Sequence, residues 1–396
     1  MITRIKNARI ILPHEVLTGC DLYYEDGLIT AITQESLPFD EEIDAQGDYL
    51  SPGFIDIHSH GGGDADFMDG TAEAFLQAAQ LHARYGTTTI VPTATSGTCE
   101  ETLAMLKIFQ SAQEQNTLGA DMPGIHLEGP YFSMEQRGAQ DPRFVRSPDP
   151  EEYLGILEHG KSILRWSAAP ELPGALDFGC ELQKRGILAA IGHFNADYDQ
   201  VVAALQAGYT HITHLYSCMS TVHRRNAYRY AGIVESAYLL DDLTVEIIAD
   251  GIHLPPSLLE FVYRFKGPEK TALVTDSMRG AGMPEGLSIL GSRENGQQVL
   301  LEDGVAKLMD RSAFAGSVAT MDRLVRNMLT LAHVPLLHAV QMASATPAAI
   351  MHFSDRGQIK PGLRADLVLF DDQIHIHRTI IHGKTVYRSE ESPCIA

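Results

Sequence analysis

The sequence predicts an α/β protein, a (β/α)8 barrel carrying a small β-sandwich domain built from both chain ends. Three observations carry this. Segments rich in β-branched residues recur, each followed by a stretch with helical spacing, and eight such units fit within about 300 residues, the size of one barrel. No GxGxxG turn follows an early strand, which counts against a doubly wound open sheet. The two ends share a different pattern, short alternating strands separated by turn residues.

Residues 1–51 open with MITRIKNARIILPHEV, which alternates apolar residues and has no long apolar run ending at a small-residue cleavage site. It therefore reads as strand, not signal peptide. Turn signals follow at Asp26-Gly27 and Gln46-Gly47-Asp48. The eight strand candidates are 53–57, 87–92, 124–127, 163–168, 187–191, 209–213, 244–249 and 271–275. Amphipathic stretches at 72–84, 101–113, 176–184 and 197–206 lie between several of them. Three end before glycine, at Tyr85-Gly86, Arg185-Gly186 and Ala207-Gly208, where the left-handed conformation closes a helix. Two more helical stretches, 322–332 and 336–352, follow the eighth strand. The tail returns to strands, with a hairpin around His382-Gly383-Lys384. Residues 1–51 and 356–396 are thus expected to form the small domain, with the barrel, 52–355, inserted between them.

Composition narrows the function. The chain has 396 residues, 44% of them hydrophobic, and no stretch of eighteen apolar residues, so a globular protein without a membrane span is expected. A net charge of −21 argues against nucleic acid or anionic membranes as partners, although a local cluster can still bind a small anion. Five scattered cysteines (Cys20, Cys99, Cys180, Cys218, Cys394) form no CxxC pair, which suggests a reducing, cytoplasmic setting.

In a barrel of this kind the carboxyl ends of the strands build the site. Strand one ends in Asp56-Ile57-His58-Ser59-His60, and the period of two puts His58 and His60 on one face. Strand three ends in His126-Leu127-Glu128, strand five at His193, strand six at His214 and strand eight at Asp276; Asp250 and His253 follow strand seven. Imidazoles and carboxylates converging on one mouth suit a divalent transition metal. His211, three residues before His214, should point to the opposite face, and His126 should lie deeper. His375 and His377 repeat the HxH spacing but fall in the small domain. A metal at the mouth would activate water, and Asp276 would take its proton and pass it to a leaving amine. That is hydrolysis of an amide or related bond.

These motifs in order carry a resemblance. Pro52-Gly53-Phe54-Ile55-Asp56-Ile57-His58-Ser59-His60, His126-Leu127-Glu128-Gly129-Pro130, Ile191-Gly192-His193, Thr213-His214-Leu215-Tyr216, Ala249-Asp250-Gly251-Ile252-His253, Leu273-Val274-Thr275-Asp276, Ala315-Gly316-Ser317 and Gly362-Leu363-Arg364-Ala365-Asp366 span nearly the whole chain. The sequence resembles the N-acetylglucosamine-6-phosphate deacetylase family of the amidohydrolase superfamily. The resemblance implies a barrel of the metal-dependent hydrolase type, with Glu128, His193 and His214 as principal metal ligands. It implies that His58 and His60 permit a second ion bridged by Glu128, and that Asp276 is the acid/base. Zinc comes first as the metal, with iron or manganese as alternatives. Gln140, Ser217, Cys218, Arg225, His253, Ala315 and Gly316 fall at substrate-binding positions. Arg225 would grip the sugar phosphate, in the family sometimes from the neighbouring subunit, so a homodimer is implied.

The sequence departs from the family around the sugar. Ser217-Cys218-Met219 replaces Asn-Ala-Met, Arg225-Asn226-Ala227-Tyr228 replaces Arg-Glu-Pro-Gly, and Gln140 replaces a histidine. Gln140 still donates hydrogen bonds but carries no charge, and Cys218 reads as packing, not as a nucleophile. The expected reaction is deacetylation of N-acetylglucosamine 6-phosphate. The alternatives are N-acetylgalactosamine 6-phosphate, an unphosphorylated N-acyl amine or cyclic amide, or a non-catalytic sugar-binding relative.

Overall fold

The computed structural model describes residues 1–390. Cys394 and the last residues of the predicted small domain lie outside the described residues. The eight expected strands form one parallel sheet: Phe54–Ser59, Thr87–Ala94, Ile125–Glu128, Ile163–Ala168, Leu188–Ile191, Tyr209–Ile212, Thr244–Ile247 and Thr271–Leu273, each beside its predecessor. Main-chain bonds just beyond the eighth strand close the ring, Asp276 N–H to His58 O at 2.9 Å and His60 N–H to Ser277 O at 2.8 Å. This closure brings the end of strand eight beside the HxH pair.

The helices follow the sequence signals. In Ala72–Arg84, Thr71 caps the first turn by accepting from Ala74 N–H, and Phe75, Ala78, Ala79 and Ala83 form the buried face. Helix Cys99–Gln115 starts with a reciprocal Thr98/Glu101 capping box, and Tyr198–Gln206 with an Asp197/Gln200 one. The predicted helix 336–352 is instead two, Leu336–Ala343 and Ala345–Ile350. Pro347 has no N–H to offer the Ala343 carbonyl, so the helical ladder breaks at Ser344.

Around the barrel, Trp166 stacks on Tyr131 and meets the Phe178 edge at 5.0 Å, all three buried. The chain ends make a sandwich. Ile2–Lys6, Asp21–Glu25, Leu28–Thr33 and Glu41–Asp44 form one sheet. Arg9–Ile11, Val16–Leu17 and Tyr49–Pro52 share the other with Leu367–Phe370, Ile376–Ile381 and Lys384–Arg388. Ile5, Leu22 and Ile29 from one sheet pack with Ile10, Leu50 and Leu367 from the other. Two further pieces are not foreseen in the sequence reading. One is a four-stranded antiparallel sheet, Gly286–Leu290, Gln297–Glu302, Val305–Leu308 and Phe314–Ser317, inserted after the eighth strand. The other is an exposed hairpin, His223–Arg225 with Tyr228–Tyr230. Among the described residues, no helix is long and apolar enough to cross a membrane.

Candidate metal centre and active site

The strand ends supply the chemistry as the period of two requires. His58 and His60 turn the same way, and both Nε2 atoms face Asp276 Oδ1, at 3.3 and 3.2 Å. They also face Glu128, His58 Nε2 to Oε1 at 3.5 Å and His60 Nε2 to Oε2 at 3.3 Å. From the other side, His193 and His214 place Nε2 at 3.2 and 3.1 Å from Glu128 Oε1. Two groups that could each hold a metal ion thus share Glu128: His58 and His60 with it, and His193 and His214 with it. His193, His214 and Asp276 have φ of 51°, 29° and 46°. Such values are uncommon for residues with a Cβ and accompany the sharp turns that carry these side chains off their strands into the mouth.

The hydrogen bonds test whether these residues fit a metal. His193 Nδ1 lies 3.0 Å from the Gln136 carbonyl and His60 Nδ1 3.2 Å from the Thr93 carbonyl. A carbonyl only accepts, so each Nδ1 carries a proton, which leaves Nε2 as the ring nitrogen that can give its lone pair to a cation. His193 and His214 then set Nε2 against Nε2 at 3.1 Å, and His58 Nε2 is buried with no hydrogen-bond partner. Ring nitrogens crowded against buried carboxylates in this way fit a bound cation, which would take the place of their inward protons.

The charges reinforce one another. Burial pushes the His58 pKa down, but Glu128, Asp276 and Glu246 outweigh it and raise it to about 9. Burial likewise pushes Glu128 and Asp276 up, yet the surrounding imidazoles hold both carboxyls below their ordinary values. Asp276 is therefore a carboxylate at neutral pH, able to accept a proton. His126 sits one layer down, bonded to Ser167 Oγ at 2.7 Å, and burial and the nearby Arg165 keep it neutral.

A cavity of about 300 Å³ opens over this cluster, enough for a small molecule. Gln140, Ser217, Cys218, His253 and Gly316 line it, together with Thr95, Tyr216, Leu290 and Phe314, which the sequence reading does not single out. Gln140 is largely committed: its amide donates to Glu128 Oε2 at 2.8 Å, and its oxygen accepts from Ser96 N–H at 2.9 Å. His253 Nδ1 is held by Asp250 Oδ2 at 2.8 Å, and its ring lies on Phe314. A side chain at Gly138 would collide with Cys218 Sγ, so this close approach needs glycine.

Several expectations change. His211 does not face away: it is fully buried in the barrel, 3.1 Å from Glu246 Oε2. The regular strand ends at Ile212, and the positive φ of His214 breaks the alternation, so both histidines turn inward. Ala315 packs its methyl into the cluster around Met278 and Val299 and does not line the cavity. Arg225 does not line it either. It lies on the exposed hairpin, paired with Asp197 and stacked over Tyr230 at 4.2 Å. His375 and His377 pair with Asp371 and Asp48 in the sandwich. Glu246 escapes the sequence reading entirely, although a glutamate in the middle of the apolar strand Thr244–Ile247 was a signal to follow.

Residues 49–386 match the amidohydrolase family. The chain is similar to N-acetylglucosamine-6-phosphate deacetylase of Bacillus subtilis, 32% identical over 396 residues, covering 98% of each chain. It is equally similar to N-acetylgalactosamine-6-phosphate deacetylase of Escherichia coli O157:H7, 32% identical over 96% of this chain and 99% of that one. Among solved structures, the fold superposes on a mutant N-acetyl-D-glucosamine-6-phosphate deacetylase from Mycobacterium smegmatis in complex with N-acetyl-D-glucosamine-6-phosphate. The TM-score is 0.88 at 30% identity, covering 98% and 99% of the two chains. The Pasteurella multocida N-acetylglucosamine-6-phosphate deacetylase superposes with TM-score 0.91 at 26% identity, covering 98% and 100%.

Proposed function

This chain belongs to the amidohydrolase family, and from that membership we propose that it hydrolyses the N-acetyl amide of N-acetylglucosamine 6-phosphate, releasing acetate and the amino-sugar phosphate. One observation carries the reading from the family to this site. The Asp276 carboxylate, four imidazoles and Glu128 converge beneath a cavity of small-molecule size.

Glu128, His193 and His214 would hold one divalent ion, and His58, His60 and Glu128 a second. Zinc is the first choice, with iron or manganese as alternatives for the same donors. A divalent ion held there supplies Lewis acidity, activating water and polarising the acyl carbonyl. Asp276, ionised and at the cavity floor, accepts the proton of the attacking water and returns it to the leaving nitrogen. His253 accepts from a substrate hydroxyl through Nε2, since its Nδ1–H already donates to Asp250. Gln140 keeps Glu128 oriented and has one amide hydrogen left for the sugar or acyl group. Ser217, Cys218 and Gly316 shape the wall. Arg225 stands outside its own chain's cavity, which favours a phosphate contact delivered across a homodimer. A cytoplasmic setting agrees with the free cysteines Cys20, Cys99, Cys180 and Cys218.

The test is acetate release from N-acetylglucosamine 6-phosphate by protein loaded in turn with zinc, iron and manganese. The galactosamine isomer and the unphosphorylated sugar run in parallel. Turnover of the glucosamine phosphate, lost to chelator and restored by metal, is expected. Turnover of none of these substrates with any of the metals overturns the proposal.

A further inference from the structure

We infer that Glu246, paired with Arg165, is a positioning residue that presets His58 to receive the second metal ion. The inference rests on reading the cluster as a metal centre.

Barrel interiors are ordinarily filled by branched apolar side chains in layers. Beneath this cluster the layer is ionic instead. Arg165, from strand four, and Glu246, from strand seven, are both fully buried, and Arg165 Nη1 meets Glu246 Oε2 at 2.5 Å. Buried pairs of this kind contribute little to stability against apolar residues of the same volume. Their position explains them better. Glu246 Oε1 receives His58 Nδ1 at 2.7 Å and the His214 backbone N–H at 3.1 Å. Its Oε2 takes His211 Nε2 at 3.1 Å in addition to Arg165.

A carboxylate facing a guanidinium is ionised and can only accept. His58 Nδ1 must therefore keep its proton, so Nε2, which has no hydrogen-bond partner among the described residues, is the nitrogen that faces Glu128 and Asp276 and can bind an ion there. Among the described residues no carbonyl performs this service for His58, as Thr93 does for His60 and Gln136 for His193. Glu246 also tethers His214 through its backbone. One buried carboxylate thus touches a ligand from each group, and the side-chain bond goes to the HxH pair.

Loss of such an outer partner lowers metal affinity by about 10- to 100-fold. The experiment compares wild-type protein with Glu246→Gln and with the double variant Arg165→Met/Glu246→Met. The double variant leaves no orphaned charge and guards against a folding failure of the single one. Each is stripped of metal and titrated with zinc by calorimetry, and its histidines are read by 15N NMR before zinc is added, at a pH above about 9 where His58 keeps a single ring proton. Expected for wild type are two zinc ions per chain and His58 as the Nδ1–H tautomer. Expected for both variants are loss of that tautomer and about a 10- to 100-fold weaker second zinc, with the first changed less. Folded variants that keep the Nδ1–H tautomer or both zinc affinities overturn the inference. So does wild-type protein that takes up only one ion, whereas wild-type protein that binds none overturns the metal reading beneath it.

Discussion

Asp276→Asn separates proton transfer from metal binding. The substitution keeps the volume, and asparagine tolerates the positive φ of 46° at this position as aspartate does. The backbone bond from residue 276 to His58 O, which helps close the barrel, is untouched. What disappears is the charge 3.2 Å from His60 Nε2 and the ability to take up a proton. Glu128, His193 and His214 could hold an ion without Asp276, so the proposed first site should survive. A positioned general base contributes about 10²- to 10⁴-fold, or about 3–5 kcal/mol of barrel-mouth catalysis. The expected result is a fall in kcat of that size, with KM within a few-fold. Acetate release at saturating substrate measures kcat, and elemental analysis of the same sample measures retained metal. A variant that keeps kcat within threefold refutes the acid/base role. One that loses its metal together with its activity assigns Asp276 to the ligands instead.

Three further predictions concern other parts of the molecule. Arg225→Ala should raise KM for the phosphorylated substrate alone; two charge-assisted bonds gained, less the exposed pair with Asp197 given up, leave about 2–6 kcal/mol, or about 30-fold and more. Equal loss on an unphosphorylated substrate, measured by steady-state kinetics, counts against a phosphate contact. Trp166→Ala should cost about 3–5 kcal/mol in urea unfolding, because it empties a buried ring site between Tyr131 and Phe178 and removes the bond to Gly129 O. A cost below about 1 kcal/mol, the scale of an ordinary surface change, contradicts the packing role. Burial lowers the Lys266 pKa to about 8. Between that pH and the ordinary lysine value the folded chain gives up this proton while the unfolded chain keeps it, so this group's contribution to stability should rise with pH across the window. Urea midpoints at pH 8 and pH 10 for wild type and Lys266→Met should differ in slope, and identical slopes refute the shift.

Much of the site was readable because its residues obey short-range rules. The period of two puts His58 and His60 together, and barrel architecture sends Glu128, His193, His214 and Asp276 to one mouth. The same rule misplaced His211, since alternation holds only while the strand is regular and His214 leaves it through a positive φ. The inserted sheet at Gly286–Leu290 and beyond escaped notice because strand-like runs after the eighth unit belong to no barrel repeat. Ala315 and Arg225 stand at family substrate positions, and position in a family carries no information on the direction of a side chain.

Sequence alone determined the kind of chemistry: which donors exist, in what order they follow the strands, and that a carboxylate closes the series. Only the tertiary structure decided how they act together. Glu246 and His58 are 188 residues apart and meet at 2.7 Å. Which ring nitrogen of His58 keeps its proton, and so which one is left to bind an ion, is set by that contact. A tautomer depends on the hydrogen-bond partner across the barrel, and no local pattern in the chain encodes it.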